Sequence, residues 1–498
     1  MTESVSIAVS KSQSGTSNNN SFLDRFFNLS ERGVTPGSEI RAGVVTFFAM
    51  AYIIILNPLI LGAVPDGNGS TLGIGPVASA TALVAGIMTI AFGLVANYPF
   101  GIAAGLGINT MVAVTLIGTY KLTWPEAMGL VVIDGIIIFL MAVTGIRNAV
   151  FHAIPRTLKI AISVGIGAFI ALIGLVNGGI VTRVPDAAHT TVPVGLGIAG
   201  SIASWPSVLF LIGLAISAVM VIRKVPGGLF LAIVINTILA MIVEAIFHIG
   251  PAVGADGSVR EGGWNLAIPK IPNSVGGVPD LSIVGHVNLV GAFGRIGFLS
   301  AALLVFTLVL ANFFDAMGTM TGLGKQAGLV DDNGVLPDMK KALAVEGFGA
   351  IAGGLGSSSS ATVYADSSAG IADGARTGLA NVTTGVLFLI AMFFTPLYEI
   401  VPIEAAAPVL VVVGVFLMVG VADIDWTKFH EALPAFLTIM IMPFTYSIAN
   451  GIGMGIIAFV LAYAAAGKAK EIHWVMWVLA VLFIIFFGIT PITTALGA

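Results

Sequence analysis

The sequence predicts an all-α membrane protein that crosses the bilayer many times, and three features predict it. Only 9% of its 498 residues are Asp, Glu, Lys or Arg, against roughly 25% in ordinary globular domains. Hydrophobic residues reach 57%, and the mean hydropathy is +1.03. Apolar runs of about 20 residues, the length of a spanning helix, recur along the chain. A water-soluble surface over this much apolar material would need far more charge. The 62 glycines suit the same class, because close helix contacts and broken helices in membranes use them. Absence of cysteine excludes disulfides, iron–sulfur clusters and thiolate zinc. A net charge of −4 with no basic stripe argues against a nucleic-acid partner.

Residues 1–21 read as a disordered cytoplasmic tail, polar and rich in Ser and Asn. They lack the charged start, apolar core and cleavage site of a signal peptide. Apolar spans follow at about 40–62, 76–96, 125–145, 158–176, 205–223, 227–248, 297–323, 340–356, 376–398, 404–421, 430–447, 449–467 and 473–491. Two further stretches, 100–115 and 357–374, are apolar but dense in Gly, Ala, Ser and Thr.

The basic residues orient these segments. Arg25, Arg32 and Arg41, then Arg147, Arg156 and Lys159, then Arg223 and Lys224, then Lys325, Lys340 and Lys341, fall on alternate connections. Arg376, Lys428, Lys468 and Lys470 continue the alternation, whereas 63–75 and 399–403 carry no Lys or Arg. Cytoplasmic loops hold the excess of Lys and Arg. The pattern predicts a cytoplasmic N-terminus and fourteen passes up to about residue 467. The final run, IHWVMWVLAVLFIIFF, leaves three readings open: a fifteenth pass, an interfacial helix, or an earlier span divided wrongly. The stretch 249–296 is expected outside, joining two halves, with 178–204 and 324–339 as ordinary loops.

Many transporters consist of two inverted repeats, each with an interrupted helix at the bilayer midplane. YPFGIAAGLGINTMV (Tyr98–Val112) and SSSSATVYADSSAGI (Ser357–Ile371) form such a pair. Asn57 and Asp315 are 258 positions apart (315 − 57). The same offset carries Gly107 to position 365, inside the second interrupted segment, and Asp134 to position 392, inside the eleventh span. Each half therefore reads as seven segments with the third interrupted, and an odd number inverts the second copy.

An ionisable residue at the centre of a membrane span costs about 2.5–3.5 kcal/mol or more, so its default reading is functional. The candidates are Asp134, Glu244, Asp315, Glu346 and Asp366. Asn312, Asp315, Thr319, Gly322 and Gln326 recur at steps of three and four and share one helix face. A polar stripe on an otherwise apolar helix faces a cavity rather than lipid. Asp315 is also readable as a structural cap of a neighbouring helix. Asp366 lies where unwound backbone is free to bind a solute, and also fits a cap for the half-helix after it. Asn109 contacts solute or makes a structural hydrogen bond. Asp134 and Glu346 are buried anchors or proton-pathway residues, and Glu244, near a span end, is expected to reach the interface.

A planar heterocycle with adjacent N–H donors matches a carboxylate acceptor, and its π face suits an aromatic or flat apolar wall. Phe48, Tyr52, Phe100, Phe313, Phe314 and Tyr364 are available for that wall. A carboxylate in an apolar cavity exchanges a proton nearer neutrality than one in water, which suits proton coupling. The chemistry also fits a cation or amine, whereas acids facing the cavity disfavour an anion. His152, His248, His286 and His473 are scattered, and no HExxH or GxSxG motif supports an enzyme.

With FFAMAYIIILNP, PFGIAAGLGINTMV, NFFDAMGTMTGLGKQAGLVDDNG, SSSSATVYADSSAGIADGARTGL, VGVFLMVG and PAFLTIMIMPFTYSIANGIGMG, the chain resembles the AzgA-like purine permeases, a branch of the second nucleobase–cation symporter family. The resemblance runs from about Phe22 to the C-terminus. It implies fourteen segments as two inverted sevens. A core domain (22–150 and 297–400) would carry the substrate, a gate domain (151–248 and 401–498) would form a homodimer, and 249–296 would link the halves. The implied activity is proton-coupled uptake of adenine, guanine or hypoxanthine across the cytoplasmic membrane by an elevator movement. The alternative is another nucleobase (xanthine, urate or uracil) on the same fold. The implied substrate residues are Asp315, Thr319, Asp366 and Asn109, with Phe48, Tyr364 and Ala365 beside them. Asp315 and Asp366 would handle the proton, and no metal or cofactor is expected. The sequence departs from the family in having Asp366 where Glu is common, Glu346 where Asp is usual and Asp134 where Glu is usual. A carboxylate one methylene shorter retracts by about 1.5 Å.

Overall fold

The computed structural model describes residues 21–144, 154–183, 194–254, 258–272, 274–330, 336–337 and 339–488. Apart from Ser21, the predicted tail lies outside the described residues, as do Arg147 and the side chain of Phe314.

The first half opens with α1 (Phe22–Phe27), α2 (Pro36–Met50), α3 (Ile53–Leu61) and α4 (Ile74–Ala96). The interrupted segment follows as strand β1 (Ile102–Ala104) and α5 (Leu106–Thr110), which runs on through wide π-helical turns to Thr119. Next come α6 (Trp124–Thr144), α7 (Arg156–Asn177), the hairpin β2 (Val181–Arg183) and β3 (Val194–Leu196), α8 (Trp205–Ile222) and α9 (Gly228–Phe247). The second half contains α10 (Gly291–Ile296), α11 (Phe298–Ala327), α12 (Met339–Leu355), β4 (Ala361–Val363), α13 (Ser368–Ala372) and α14 (Gly378–Ala391). It closes with α15 (Ile403–Met418), α16 (Phe429–Phe444), α17 (Ile448–Ala465) and α18 (Trp474–Phe487).

Among the described residues, ten helical stretches are long and apolar enough to cross a membrane. The predicted first span runs as α2 and α3 through a tightened turn at Ala51–Tyr52, where both residues keep right-handed helical backbone. Pro58, which lacks an amide proton, lies inside α3. The final apolar run forms a helix of 14 residues, shorter than the roughly 20 that span a bilayer. Two departures from an all-helical chain stand out. The stretch 178–204, expected as a plain loop, carries the β2–β3 hairpin, in keeping with the β-branched Val181, Thr182 and Val194. The two interrupted segments contain strands, and these pair with each other.

That pairing is antiparallel, with Ile102 opposite Val363, Ala103 opposite Thr362 and Ala104 opposite Ala361. The central partners are 259 positions apart (362 − 103), close to the offset read from the sequence. Gly105 N donates to Ser360 O, and Tyr364 N donates to Gly101 O, both at 2.9 Å. Unwound backbone in the membrane interior therefore finds its partners in the other half of the chain. Thr89 Oγ1 supports β1 from α4, accepting from Ile102 N at 2.9 Å and donating to Ile102 O at 2.8 Å.

The helices pack in two groups. In one, α6 lies along α12 and α4 along α14; in the other, α7 lies along α15 and α16 along α17. Glycine permits a close crossing of α4 and α14, where a Cβ on Gly93 or Gly378 would run into the carbonyl oxygen of the other. The connection from α9 to α10 is tied to both groups. The buried Trp264 donates Nε1 to Glu244 Oε2 at 2.7 Å, and Asn265 donates N and Nδ2 to Glu404 Oε1 at 3.0 and 2.8 Å. Farther on, Gly277 N donates to Phe393 O, Gly285 N to Leu355 O and Asn288 N to Pro125 O, at 2.9, 2.7 and 2.8 Å. Glu244 is therefore a loop anchor.

Glu39 is a buried carboxylate that the search for charges inside spans passes over, because it sits in the first turn of α2. Its oxygens accept from Arg376 N (2.7 Å), Thr377 N (3.2 Å), Thr377 Oγ1 (2.8 Å) and Ala380 N (3.3 Å), capping the start of α14. Glu39→Ala strands those donors and should cost about 1–3 kcal/mol. Thermal unfolding of the purified protein in detergent should show a lower midpoint, and Glu39→Gln should recover part of it.

Candidate functional site

The paired strands place the two half-helices against one cavity of about 100 Å³. One wall comes from elements next to the ribbon. Tyr52 enters from the turn between α2 and α3, Gly105–Ile108 from the start of α5, Asp315 and Thr319 from α11, and Thr362–Asp366 from β4 and the turn after it. The opposite wall comes from α7 and α15. Ile162, Ile166 and Ile170 recur every fourth residue on α7 and meet Val413 and Leu417 of α15, with Ser163 as the polar member of that wall. A Cβ added to Gly107 would sit 2.8 Å from Ile166 Cγ2, so the glycine lets the two walls approach.

Asp315, Asp366, Thr319, Tyr364 and Ala365, each expected at the site, line the cavity. Asp315 has no hydrogen-bond or ion-pair partner among the described residues, so its carboxylate is an open acceptor. Asp366 is oriented: Tyr52 Oη donates to its Oδ2 at 2.9 Å. Tyr364 turns its hydroxyl away and donates to Ala104 O at 2.8 Å, leaving its ring as wall. The Tyr52 and Tyr364 rings lie 6.3 Å apart, tilted at 47°. No lysine, arginine or histidine among the described residues lines the cavity, so no base neutralises the two acids there.

Two expected residues stand elsewhere. Phe48 is off the cavity wall: it is 45% exposed, 5.3 Å from Phe47 and 6.3 Å from Phe230 of α9. Tyr52, one turn farther along the same span, takes the place at the cavity. Asn109 lies one turn into α5, fully buried behind the lining residues, and neither side-chain polar atom has a hydrogen-bond partner among the described residues.

The remaining buried acids form a layer behind the cavity. Asn312 Nδ2 donates to Asp134 Oδ2 at 3.0 Å and to Ser360 Oγ at 2.6 Å. Lining Thr362 donates its hydroxyl to Glu346 Oε1 at 3.1 Å. Asp134 and Glu346 thus hold α11 and β4 in place, and each keeps one oxygen without a partner among the described residues. Ser367 Oγ accepts from Gly101 N at 2.9 Å, fastening the turn that carries Asp366 to the approach of β1. Among the described residues no group of three or more His, Cys, Asp or Glu is placed to hold a metal ion.

Reasoning from the sequence missed Ser163 and the aliphatic wall, although the four-residue recurrence of isoleucine on α7 was visible. It noted Tyr52 as an aromatic but not as the donor to Asp366, a contact across 314 positions.

Comparison with known proteins places this architecture. The solved transmembrane domain of a cyanobacterium bicarbonate transporter BicA superposes with a TM-score of 0.54 at 15% identity, covering 86% of this chain and 97% of that one. The structure of SLC26A9 gives 0.56 at 12% identity, covering 86% and 65%. At these identities the likeness concerns the fold alone. Adenine permease AdeQ of Escherichia coli strain K12 is 34% identical over 457 residues, covering 92% of this chain and 94% of its own. Guanine/hypoxanthine permease PbuG of Bacillus subtilis strain 168 is 34% identical over 460 residues, covering 91% and 97%. The Permease family matches residues 37–454. This multi-pass membrane chain, a transporter and not an enzyme, belongs to the Permease family.

Proposed function

We propose that the protein takes up purine nucleobases (adenine, guanine or hypoxanthine) together with protons. The observation that carries this reading is one cavity holding Asp315 and Asp366 beside the paired interrupted segments, with no base among its described lining residues. A carboxylate accepts hydrogen bonds from the N–H edge of a planar heterocycle. The Tyr52 and Tyr364 rings on one side and the isoleucines of α7 on the other suit its flat faces. The names of the relatives, adenine permease and guanine/hypoxanthine permease, point to the same chemistry.

Substrate contacts are assigned to Asp315, Asp366, Thr319, Tyr364 and Ala365. Tyr52 positions Asp366, and Asn109 lies one layer behind. Asp315 and Asp366 carry the proton. Protonation at these acids removes buried negative charge while the substrate is carried inward, and the empty carrier returns deprotonated, so the proton travels with the substrate.

The movement follows from the two walls. Residues 22–150 and 297–400 act as the core that carries the substrate, and 151–248 and 401–498 act as the gate. The gate wall is almost wholly aliphatic, with Ser163 as its polar member, so the core can slide past it with few hydrogen bonds to break, as an elevator requires. In this reading the chain has fourteen segments arranged as two inverted sevens. Its N-terminus is cytoplasmic, it lies in the cytoplasmic membrane, and two copies associate through their gates.

Cells making the protein should accumulate labelled adenine, guanine or hypoxanthine in a saturable manner, and a protonophore should abolish accumulation. Unlabelled xanthine, urate and uracil belong in the competition panel; if only these compete, the substrate is another nucleobase. Absence of saturable uptake by folded, membrane-inserted protein would overturn the reading.

Asp315→Asn and Asp366→Asn should each lower proton-driven accumulation by more than about tenfold, since each removes a charge-assisted acceptor. Wild-type accumulation by either variant removes that residue from proton coupling.

Tyr52→Phe keeps the ring but deletes the hydrogen bond to Asp366. Accumulation should fall about three- to tenfold, and its dependence on external pH should move relative to wild type. An unchanged rate and pH profile would show that the bond is dispensable.

A further inference from the structure

The cavity has acceptors on one wall and needs a donor facing them. A purine ring carries acceptor nitrogens as well as N–H groups, and an ionised carboxylate can serve only the latter. Most lining hydroxyls are already engaged: Tyr52 with Asp366, Tyr364 with Ala104 O and Thr362 with Glu346. Thr319 stands one turn from Asp315 on α11, and the amides of Leu106–Ile108 start α5. All of these lie on the wall that holds the acids.

Ser163 lies on the other wall, half-buried among Ile162, Ile166 and Ile170. Helical hydroxyls elsewhere in this protein commonly turn back onto their own helix: Thr46 to Ala42 O, Thr81 to Val77 O and Thr307 to Leu303 O, at 3.1, 2.6 and 2.8 Å. Ser163 makes no such bond and has no hydrogen-bond partner among the described residues, while its residue borders the cavity. In an aliphatic wall, a hydroxyl without a partner loses its hydration when a solute fills the space, so it discriminates strongly between solutes that replace its hydrogen bond and those that do not.

We propose that Ser163 is a specificity-determining residue, whose hydroxyl donates a hydrogen bond to an acceptor atom on the edge of the bound heterocycle turned away from Asp315 and Asp366. This rests on the purine reading above and deepens it. The acids select the donor edge of the ring, and Ser163 selects an acceptor on the far side. Because Ser163 belongs to α7, the contact joins the substrate to the wall opposite the acids.

The test is equilibrium binding to purified full-length protein, using the preferred purine and its 3-deaza, 7-deaza and 9-deaza analogues, each with one ring nitrogen replaced by C–H. Wild-type protein should lose about three- to tenfold in affinity for one analogue, the weight of a neutral hydrogen bond. Ser163→Ala should weaken the parent purine by the same factor and show no further loss on that analogue. Ser163→Thr, which keeps the hydroxyl, should stay near wild type and guards against a general packing defect. Equal affinities of Ser163→Ala and wild type across the panel would overturn the assignment, as would a uniform loss for the parent and every analogue. Failure of wild-type protein to bind any purine would instead remove the underlying reading and this assignment with it.

Discussion

Inside a bilayer every backbone N–H and C=O needs a partner within the protein, because water is not there to supply one. Helices meet this demand locally. The two stretches around Ile102–Ala104 and Ala361–Val363 do not, and their solution organises the molecule. Each strand takes its partners from the other half of the chain, so neither segment can be unwound alone. The pairing fixes where α5 and the turn after β4 begin, and hence where Gly105–Ile108 and Val363–Asp366 stand around the cavity. The small residues of both segments, Gly, Ala and Ser, follow from this: a two-stranded ribbon threaded between close-packed helices has little room for side chains. Gly353 illustrates the limit, since a Cβ there would collide with Ser359 O.

The acids divide by what holds them. Asp134 and Glu346 receive hydrogen bonds from Asn312 and Thr362 and sit in the packed layer between α6, α11 and α12. Asp366 is steered by one phenol, and Asp315 by nothing among the described residues. The gradient from fixed to free runs toward the cavity, which is the order a binding site needs: rigid support behind, open valence in front.

Much of this was legible in the sequence, for identifiable reasons. A carboxylate within an apolar run is costly enough to betray itself, so Asp315 and Asp366 stood out. The near-constant offset between halves survived because an inverted repeat keeps its segment spacing even where its letters diverge. What escaped were contacts made between distant segments. Nothing local to FFAMAYIIILNP says that Tyr52 rather than Phe48 meets Asp366. Spacing likewise marked the two segments as interrupted and unwound but not as strands, because residues such as Ala103 and Ala361 have little preference for strand and adopt it only when each segment finds the other. Glu39 escaped because it lies at a span boundary, where a charge looks unremarkable until α14 is seen to start on it.

The strap between α9 and α10 has a mechanical consequence. Trp264 and Asn265 fasten it to Glu244 and Glu404, and Gly277 and Gly285 fasten it to Phe393 and Leu355. Between Asn265 and Gly277 the chain carries Pro269 and Pro272, and its contour, drawn fully straight, is about 40 Å. As long as both moorings hold, that contour is the greatest distance by which they can be parted. The strap is therefore a tether with a hard stop, set by the number of residues between two hydrogen-bonded anchors.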